Sequence, residues 1–201
     1  MWIKKIDDEI LNLLHRMKYR AVVVENLDCN KPITRGNIVI VKKIVIETDS
    51  RKELKKSLKN IKRERNIVSV KPKSVEASRM AAHDTRVDTI ILDENTVYYM
   101  DKQQFSLMKQ YSKPIEIPLN TFYSSIDSSL KSMIYRRVKY YLYYTKQPLI
   151  VSSRASEWYE LMNPKIAVLI LSQILGIDKR LALSYLTIYP REILVYNGVS
   201  I

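Results

Sequence analysis

The residues from Val151 to Asp178, VSSRASEWYELMNPKIAVLILSQILGID, gather the side chains most able to do chemistry: Ser152, Ser153, Arg154, Trp158, Asn163 and Lys165. A serine nucleophile on a strand end calls for a Gly-x-Ser-x-Gly elbow, and none frames Ser152 or Ser153. Metal chemistry needs converging ligands. The chain has two histidines, His15 and His83, far apart, and a single cysteine, Cys29, which cannot build a zinc site. Carboxylates could hold Mg²⁺, but the densest group, Asp84, Asp88, Asp93 and Glu94, reads as solvated turn residues and helix-end charges. His83 falls at a predicted helix C-terminus, where the dipole favours a cation. With only three glycines, Gly36, Gly176 and Gly198, no phosphate loop follows any strand, which weakens a nucleotide-binding reading.

The basic residues are better organised. Thirty-four Lys and Arg against twenty-one Asp and Glu give +13. Such a surplus suits a polyanion, nucleic acid or less often an acidic membrane surface, or else a lysine-rich solvated surface of the thermophile type. One cluster runs from Arg51 to Lys73, with bases at 51, 52, 55, 56, 59, 62, 63, 65, 71 and 73 against Glu53 and Glu64. Its middle reads as a solvated helix face. Lys71 and Lys73 differ, because they end a predicted strand, where α/β folds place their sites. The second cluster, KSMIYRRVKYYLYYTK (131–146), has five bases, five tyrosines and no acid. Leu130, Ile134, Val138 and Leu142 make its apolar stripe, with Arg136, Lys139, Tyr140 and Tyr143 opposite. Two readings stand for that face: phosphate gripping with base stacking, or tyrosines packed against neighbours with wet hydroxyls.

The elements that must position these groups alternate. Strands are predicted at 20–27, 37–47, 66–70, 88–92, 115–119 and 148–153, from β-branched runs. Helices are predicted after Ser50, whose pairing with Glu53 is a capping box, then at 74–84, at 101–111 from Asp101 as N-cap, and at 127–145. A further helix starts at Asn163 with Pro164 in its first position and ends at Gly176, and another runs from Asp178 through Tyr189. The N-terminal segment reads as an amphipathic helix with Ile3, Ile6, Ile10, Leu13 and Leu14 on one face, and not as a signal peptide. The longest apolar stretch, 166–177, is too short to span a bilayer. A lone cysteine fits a reducing compartment. Alternating strands and helices with short links argue for a parallel sheet, either an open doubly wound sheet or a barrel, in one domain over 1–201.

The C-terminal half resembles the end of archaeal ribonuclease P protein component 3, a family shared with the 30-kDa subunit of the eukaryotic enzyme. The resemblance is carried by KQPLIVSSRASEWYELMNPKIAVLILSQILGIDKRLALSYLTIYPREIL, with its two-serine strand end, aromatic–acid–Leu group, glycine-ended helix and "YP" before "IL". Upstream, VEASRMAAHDTRVDTIILD is similar to the family's Leu-Arg-x-x-Arg helix running into an Arg-Val-Asp strand. The similarity spans roughly residues 67 to 194, and the first third matches by pattern only. Several family arginines are replaced. The first of the Leu-Arg-x-x-Arg pair falls on Glu76 and the second on Arg79; others fall on Met162 and on Lys165-Ile166, and a family histidine on Lys102. Lysine cannot copy arginine's bidentate grip on phosphate.

The resemblance implies a single-domain, TIM-barrel-like α/β fold related to metal-dependent phosphoesterase barrels but lacking their metal ligands. It implies a protein subunit of ribonuclease P that supports the catalytic RNA in removing 5′ leaders from precursor tRNA. The expected partners are ribonuclease P RNA, precursor tRNA through the complex, a small ferredoxin-like subunit and the other proteins of the complex, in the cytoplasm. No cofactor is expected on this chain; Mg²⁺ belongs to the RNA subunit. In such a barrel Lys71, Lys73, Arg79, Lys102, Arg154 and Lys165 are expected to meet on one rim, with Arg136, Arg137 and Lys139 as further RNA contacts. In this reading Asn163 is a cap and Trp158 a packing anchor. The alternatives are a stand-alone metal-dependent phosphoesterase on the same barrel, and a basic scaffold that binds only proteins.

Overall fold

The computed structural model describes residues 1–201 except 26, 30, 62–64 and 123–126. The cluster positions Lys62, Arg63 and Glu64 therefore lie outside the described residues. The strands are β1 (Trp2–Ile3), β2 (Ala21–Glu25), β3 (Ile33–Arg35), β4 (Ile38–Thr48), β5 (Ile67–Pro72), β6 (Thr89–Ile91), β7 (Ile115–Pro118) and β8 (Leu149–Ser152). Helices α1 (Asp8–Arg16), α2 (Arg51–Lys59), α3 (Val75–His83), α4 (Lys102–Gln110) and α5 (Ser128–Thr145) separate them, and α6 (Pro164–Leu175), α7 (Lys179–Leu186) and α8 (Ile188–Tyr196) follow. The strand order is β1-β2-β4-β5-β6-β7-β8, with β3 beside β4. The β1/β2, β2/β4, β5/β6 and β6/β7 ladders are parallel, and β3/β4 is an antiparallel hairpin pair. Just past β8, the N–H groups of Ser153 and Arg154 donate to the Trp2 carbonyl (3.1 and 3.2 Å). The last strand thus hands back to the first, and this cyclic order is the one a barrel requires.

The contacts divide the chain into two compact units, with the division falling inside β4, β5 and β8. Unit one comprises residues 1–44, 63–67 and 151–201. Its core sets Ile10 and Leu14 of α1 against Val22 and Val24 of β2, Ile38 and Ile40 of β4, Ala155 and Leu161. Unit two comprises residues 45–62 and 68–150. There Phe105 and Met108 of α4, Ile134, Val138 and Tyr141 of α5, and Ile90, Ile115 and Ile117 of the strands are buried. The Tyr141 hydroxyl donates toward the carbonyls of Lys113 and Pro148, each at 3.1 Å, so its polar end is satisfied inside the core.

The helix starts follow side-chain chemistry. Asp7, Ser50, Ser74, Asp101, Asp127, Asn163 and Asp178 each accept a backbone N–H from the first turn of the helix they open. Gly176, at φ +67°, closes α6 in the left-handed region. Some expectations change. Trp2 and Ile3 are strand, because pairing with Val23 and Val24 buries them in a sheet before helix α1 begins. The predicted Ser50/Glu53 box is half made: Ser50 accepts from Lys52 N, while Glu53 takes the Thr48 hydroxyl instead (3.0 Å). The helix predicted from Asp178 through Tyr189 is broken at Thr187. Pro190 has no N–H and would strike the carbonyl four residues back in a continuous helix. Placed in the first turn of α8, it meets neither difficulty.

Candidate nucleic-acid interface

The six cations expected on one rim fall in both units: Lys71, Lys73, Arg79 and Lys102 in unit two, Arg154 and Lys165 in unit one. In unit two, β5 delivers Lys71 to Asp93, just past β6, at 3.0 Å. Asp93 is buried and also accepts the N–H groups of Asn95 and Thr96, so it pins the turn after β6 as it neutralises Lys71. Lys73 meets Glu47 at 2.7 Å on the surface, which raises the lysine's pKa through that hydrogen bond and charge. Arg79 in α3 grips Asp101, the N-cap of α4, through Nε (3.1 Å) and Nη2. Burial pushes the Asp101 carboxyl up, but the Arg79 bond and the backbone bonds of the cap outweigh it and leave the group lowered.

In unit one, Arg154 follows β8 with φ +51°, a left-handed conformation that turns the chain out of the strand. Its Nε lies 3.5 Å from Glu25 Oε1, and Lys43 Nζ lies 3.1 Å from the same oxygen. Lys43 is fully buried in the middle of β4, its ammonium also 5.4 Å from the centre of the Trp2 ring. Two cations thus share one buried carboxylate. Nothing in the apolar run around Lys43 announced this, since a buried lysine needs a partner that only the fold supplies. Lys165, second residue of α6, is exposed beside its cap Asn163, which accepts its N–H at 2.9 Å.

Several side chains serve the backbone where chemistry was weighed. The Ser153 hydroxyl donates to the Trp2 carbonyl (3.2 Å) and accepts from Ala155 N–H. The acids expected as solvated turn residues are, for three of four, buried. Asp88 accepts Val68 N–H at 2.8 Å, Asp93 holds its turn, and Asp84 holds Arg86. The Arg86 hydrogen bond keeps the Asp84 carboxyl below the usual range. Trp158 is no packing anchor: it is 51% exposed on a 3-10 turn (Trp158–Glu160) in which no residue is buried, and Leu161 takes the inward place. Among the described residues, no three His, Cys, Asp or Glu are grouped to hold a metal ion. No helix of the described residues is long and apolar enough to cross a membrane.

The most coherent basic surface lies on α4 and α5. From Lys102 to Lys146 the sequence carries eight Lys or Arg, of which Lys113 is buried, and two acids. Of those acids, Glu116 is fully buried, accepting the hydroxyls of Ser69 and Thr89 at 3.1 Å each, and Asp127 caps α5. Neither helix itself contains a carboxylate. Ile134, Val138, Tyr141 and Thr145 form the buried face of α5 and Arg136 and Lys139 are exposed; of the predicted stripe Ile134 and Val138 are buried, while Leu130 and Leu142 are half-buried at its edges. The lysines instead settle on aromatic rings: Lys139 over Tyr135 (4.6 Å), Lys146 over Tyr143 (4.8 Å) and Lys109 of α4 over Tyr144 (5.2 Å). Tyr140 stacks on Tyr144 and leans on Phe105, so both packing and surface roles occur among these tyrosines. Like Lys165 on α6 of unit one, Lys102, Arg136, Arg137 and Lys139 on this surface make no ion pair among the described residues. Lys109, Lys131 and Lys146 belong to the same surface; the run without acids, rather than any motif, was the signal for them.

A family model described as RNase P subunit p30 matches residues 5–200. Among curated proteins no match is found. Among solved structures, a chain of a cryo-EM structure of archaeal Ribonuclease P with mature tRNA superposes with a TM-score of 0.80. It covers 98% of this chain and 90% of that one at 15% identity, so the likeness speaks to fold.

Proposed function

The chain belongs to the RNase P subunit p30 family and is a protein subunit of ribonuclease P, the endoribonuclease complex of tRNA processing; from that premise we propose that its own task is to bind and support the catalytic RNA and not to cut. The observation that carries this reading is the carboxylate-free surface of α4 and α5, whose charge has no internal neutraliser and suits a polyphosphate backbone. Lys102, Arg136, Arg137 and Lys139 are its direct phosphate contacts, and Lys165, exposed on α6 of unit one, is a separate one. Lys71, Lys73, Arg79 and Arg154 already hold carboxylates and contribute only by exchanging them for phosphate.

In this reading precursor tRNA is reached through the complex, Mg²⁺ is held by the RNA subunit, and the chain works in the cytoplasm. Residues 1–201 act as one domain, since the family match runs through both units. The small ferredoxin-like subunit is the expected protein partner. Exposed Ile166, Leu169, Leu181, Leu183 and Ile188 on the C-terminal helices of unit one give it apolar surface to cover.

Reconstitution tests the proposal. Ribonuclease P RNA with its partner proteins should cleave precursor tRNA faster when this chain is present, and the purified chain alone should not cleave. Turnover by the RNA-free chain with Mn²⁺ or Mg²⁺ would instead establish the phosphoesterase reading.

A further inference from the structure

We propose that the outward stripe of α5 is a seat for unpaired RNA, with a base stacked on Tyr143 and the flanking phosphates held by Arg136, Lys139 and Lys146. The inference rests on the ribonuclease P reading and adds to it the strandedness of the RNA this surface takes.

Ser132, Arg136, Lys139 and Tyr143 succeed one another at spacings of four, three and four, so they lie on one line along the helix. That line is opposite Ile134, Val138, Tyr141 and Thr145, which face the core. Tyr143 is 77% exposed, whereas Tyr141 two residues earlier is fully buried. A tyrosine kept for packing would resemble Tyr141. Tyr143 instead presents its ring to solvent, with the Lys146 ammonium 4.8 Å from its centre. Lys146 is held there by the left-handed turn that ends α5 (φ +58°).

The pairing of lysines with rings rather than carboxylates matters for binding. A carboxylate neutralises a lysine and must be displaced before phosphate can bind. A ring orders the lysine stem and leaves its charge intact. Along the stripe, cations and an open aromatic ring therefore alternate, ready-made for a backbone whose bases are available to stack. In duplex RNA the bases are already stacked and the deep groove excludes side chains, so the ring would find nothing to hold. Stacking and phosphate contacts read no base edges, so the seat should tolerate sequence.

The test is binding of the full-length chain to an unstructured oligoadenylate and to a duplex RNA of equal length over a salt series. Tyr143→Ala should weaken the oligoadenylate complex by about five- to a hundred-fold, the range for losing one base–aromatic stack. Its duplex binding and its melting temperature should stay unchanged. Tyr143→Phe should hold the single strand within about two-fold, because its ring keeps the stacking face. Lys139→Ala should reduce the single-strand salt slope by about 0.7. Tyr143→Ala with wild-type affinity for oligoadenylate, or with equal losses on both RNAs, overturns the inference. If wild-type chain still raises cleavage in the reconstituted enzyme, that result leaves the subunit reading standing. Wild-type chain that neither binds RNA nor raises cleavage overturns both.

Discussion

Two lysines on the same polypeptide, Lys71 and Lys102, carry the same formal charge in different surroundings. Lys71 is mostly enclosed and sits 3.0 Å from the buried Asp93 carboxylate. Removing one member of a buried pair strands the other charge, so Lys71→Ala should cost about 3–5 kcal/mol in chemical denaturation. Lys102, exposed in the first turn of α4, should be removable with no change in melting temperature. Its loss should flatten the salt dependence of RNA binding by about 0.7–0.9 per contact. Asp84 and Asp101, both lowered from the ordinary 3.8, contribute to acid stability. A depressed carboxyl stabilises the fold above its unfolded pKa, and the contribution is lost as pH falls through the folded value. The wild-type advantage over Asp84→Asn should therefore be full at neutral pH and shrink below about pH 4. Thermal melts of both proteins across an acid series check this, and a gap that widens in acid would refute it.

Helix α5 divides its residues between a buried and an exposed face. Its buried line requires Ile134, and a large-to-small change there, Ile134→Ala, should cost about 2–4 kcal/mol. Arg136, two residues on and exposed, should change stability by less than about 0.5 kcal/mol when replaced by Ala. Denaturant titration of both variants decides the helical phase, and reversed effects would place the stripe on the wrong side. Element ends are as telling. Gly176 closes α6 at φ +67° with open space where a Cβ would stand, so Gly176→Ala should cost only the left-handed penalty of about 1–2 kcal/mol. Gly36, at φ +60°, faces the His15 ring 2.8 Å from that position. Gly36→Ala should therefore cost more than Gly176→Ala, and adding His15→Ala should recover part of the difference.

For the whole chain, the surplus of +13 opposes compaction and favours polyanions, so salt should act on the two in opposite directions. Raising salt within the range that screens surface charges should raise the melting temperature of the free chain while weakening its complex with ribonuclease P RNA. A parallel fall in both would mean that surface ion pairs such as Lys73–Glu47 outweigh the repulsion. The distribution of charge matters as well as its sum. Helix α2 is also rich in lysine, but it reads as a solvated face carrying Glu53. Lys55→Ala or Lys59→Ala should alter RNA affinity much less than Arg136→Ala or Lys139→Ala. Equal small effects at all four positions would mean that the charge acts diffusely.

The sequence by itself determined the alternation of strands and helices, because β-branched runs, capping residues and the Pro164 and Gly176 signals act within a few residues of themselves. It also determined which face of α5 is apolar, since a 3.6-residue period needs no neighbour to be read. The family resemblance was legible for the same reason, as motifs in a fixed order. Only the tertiary structure decided that Trp2 and Ile3 form a strand, because their partners Val23 and Val24 are some twenty residues away. It decided likewise that Lys71, Lys73, Arg79 and Arg154 are each met by a carboxylate from a different part of the chain. A charge announces itself in a sequence, but its neutraliser is chosen by folding. The proposed RNA contacts Lys102, Arg136 and Lys139 stand instead on α4 and α5, two helices that carry no acid at all.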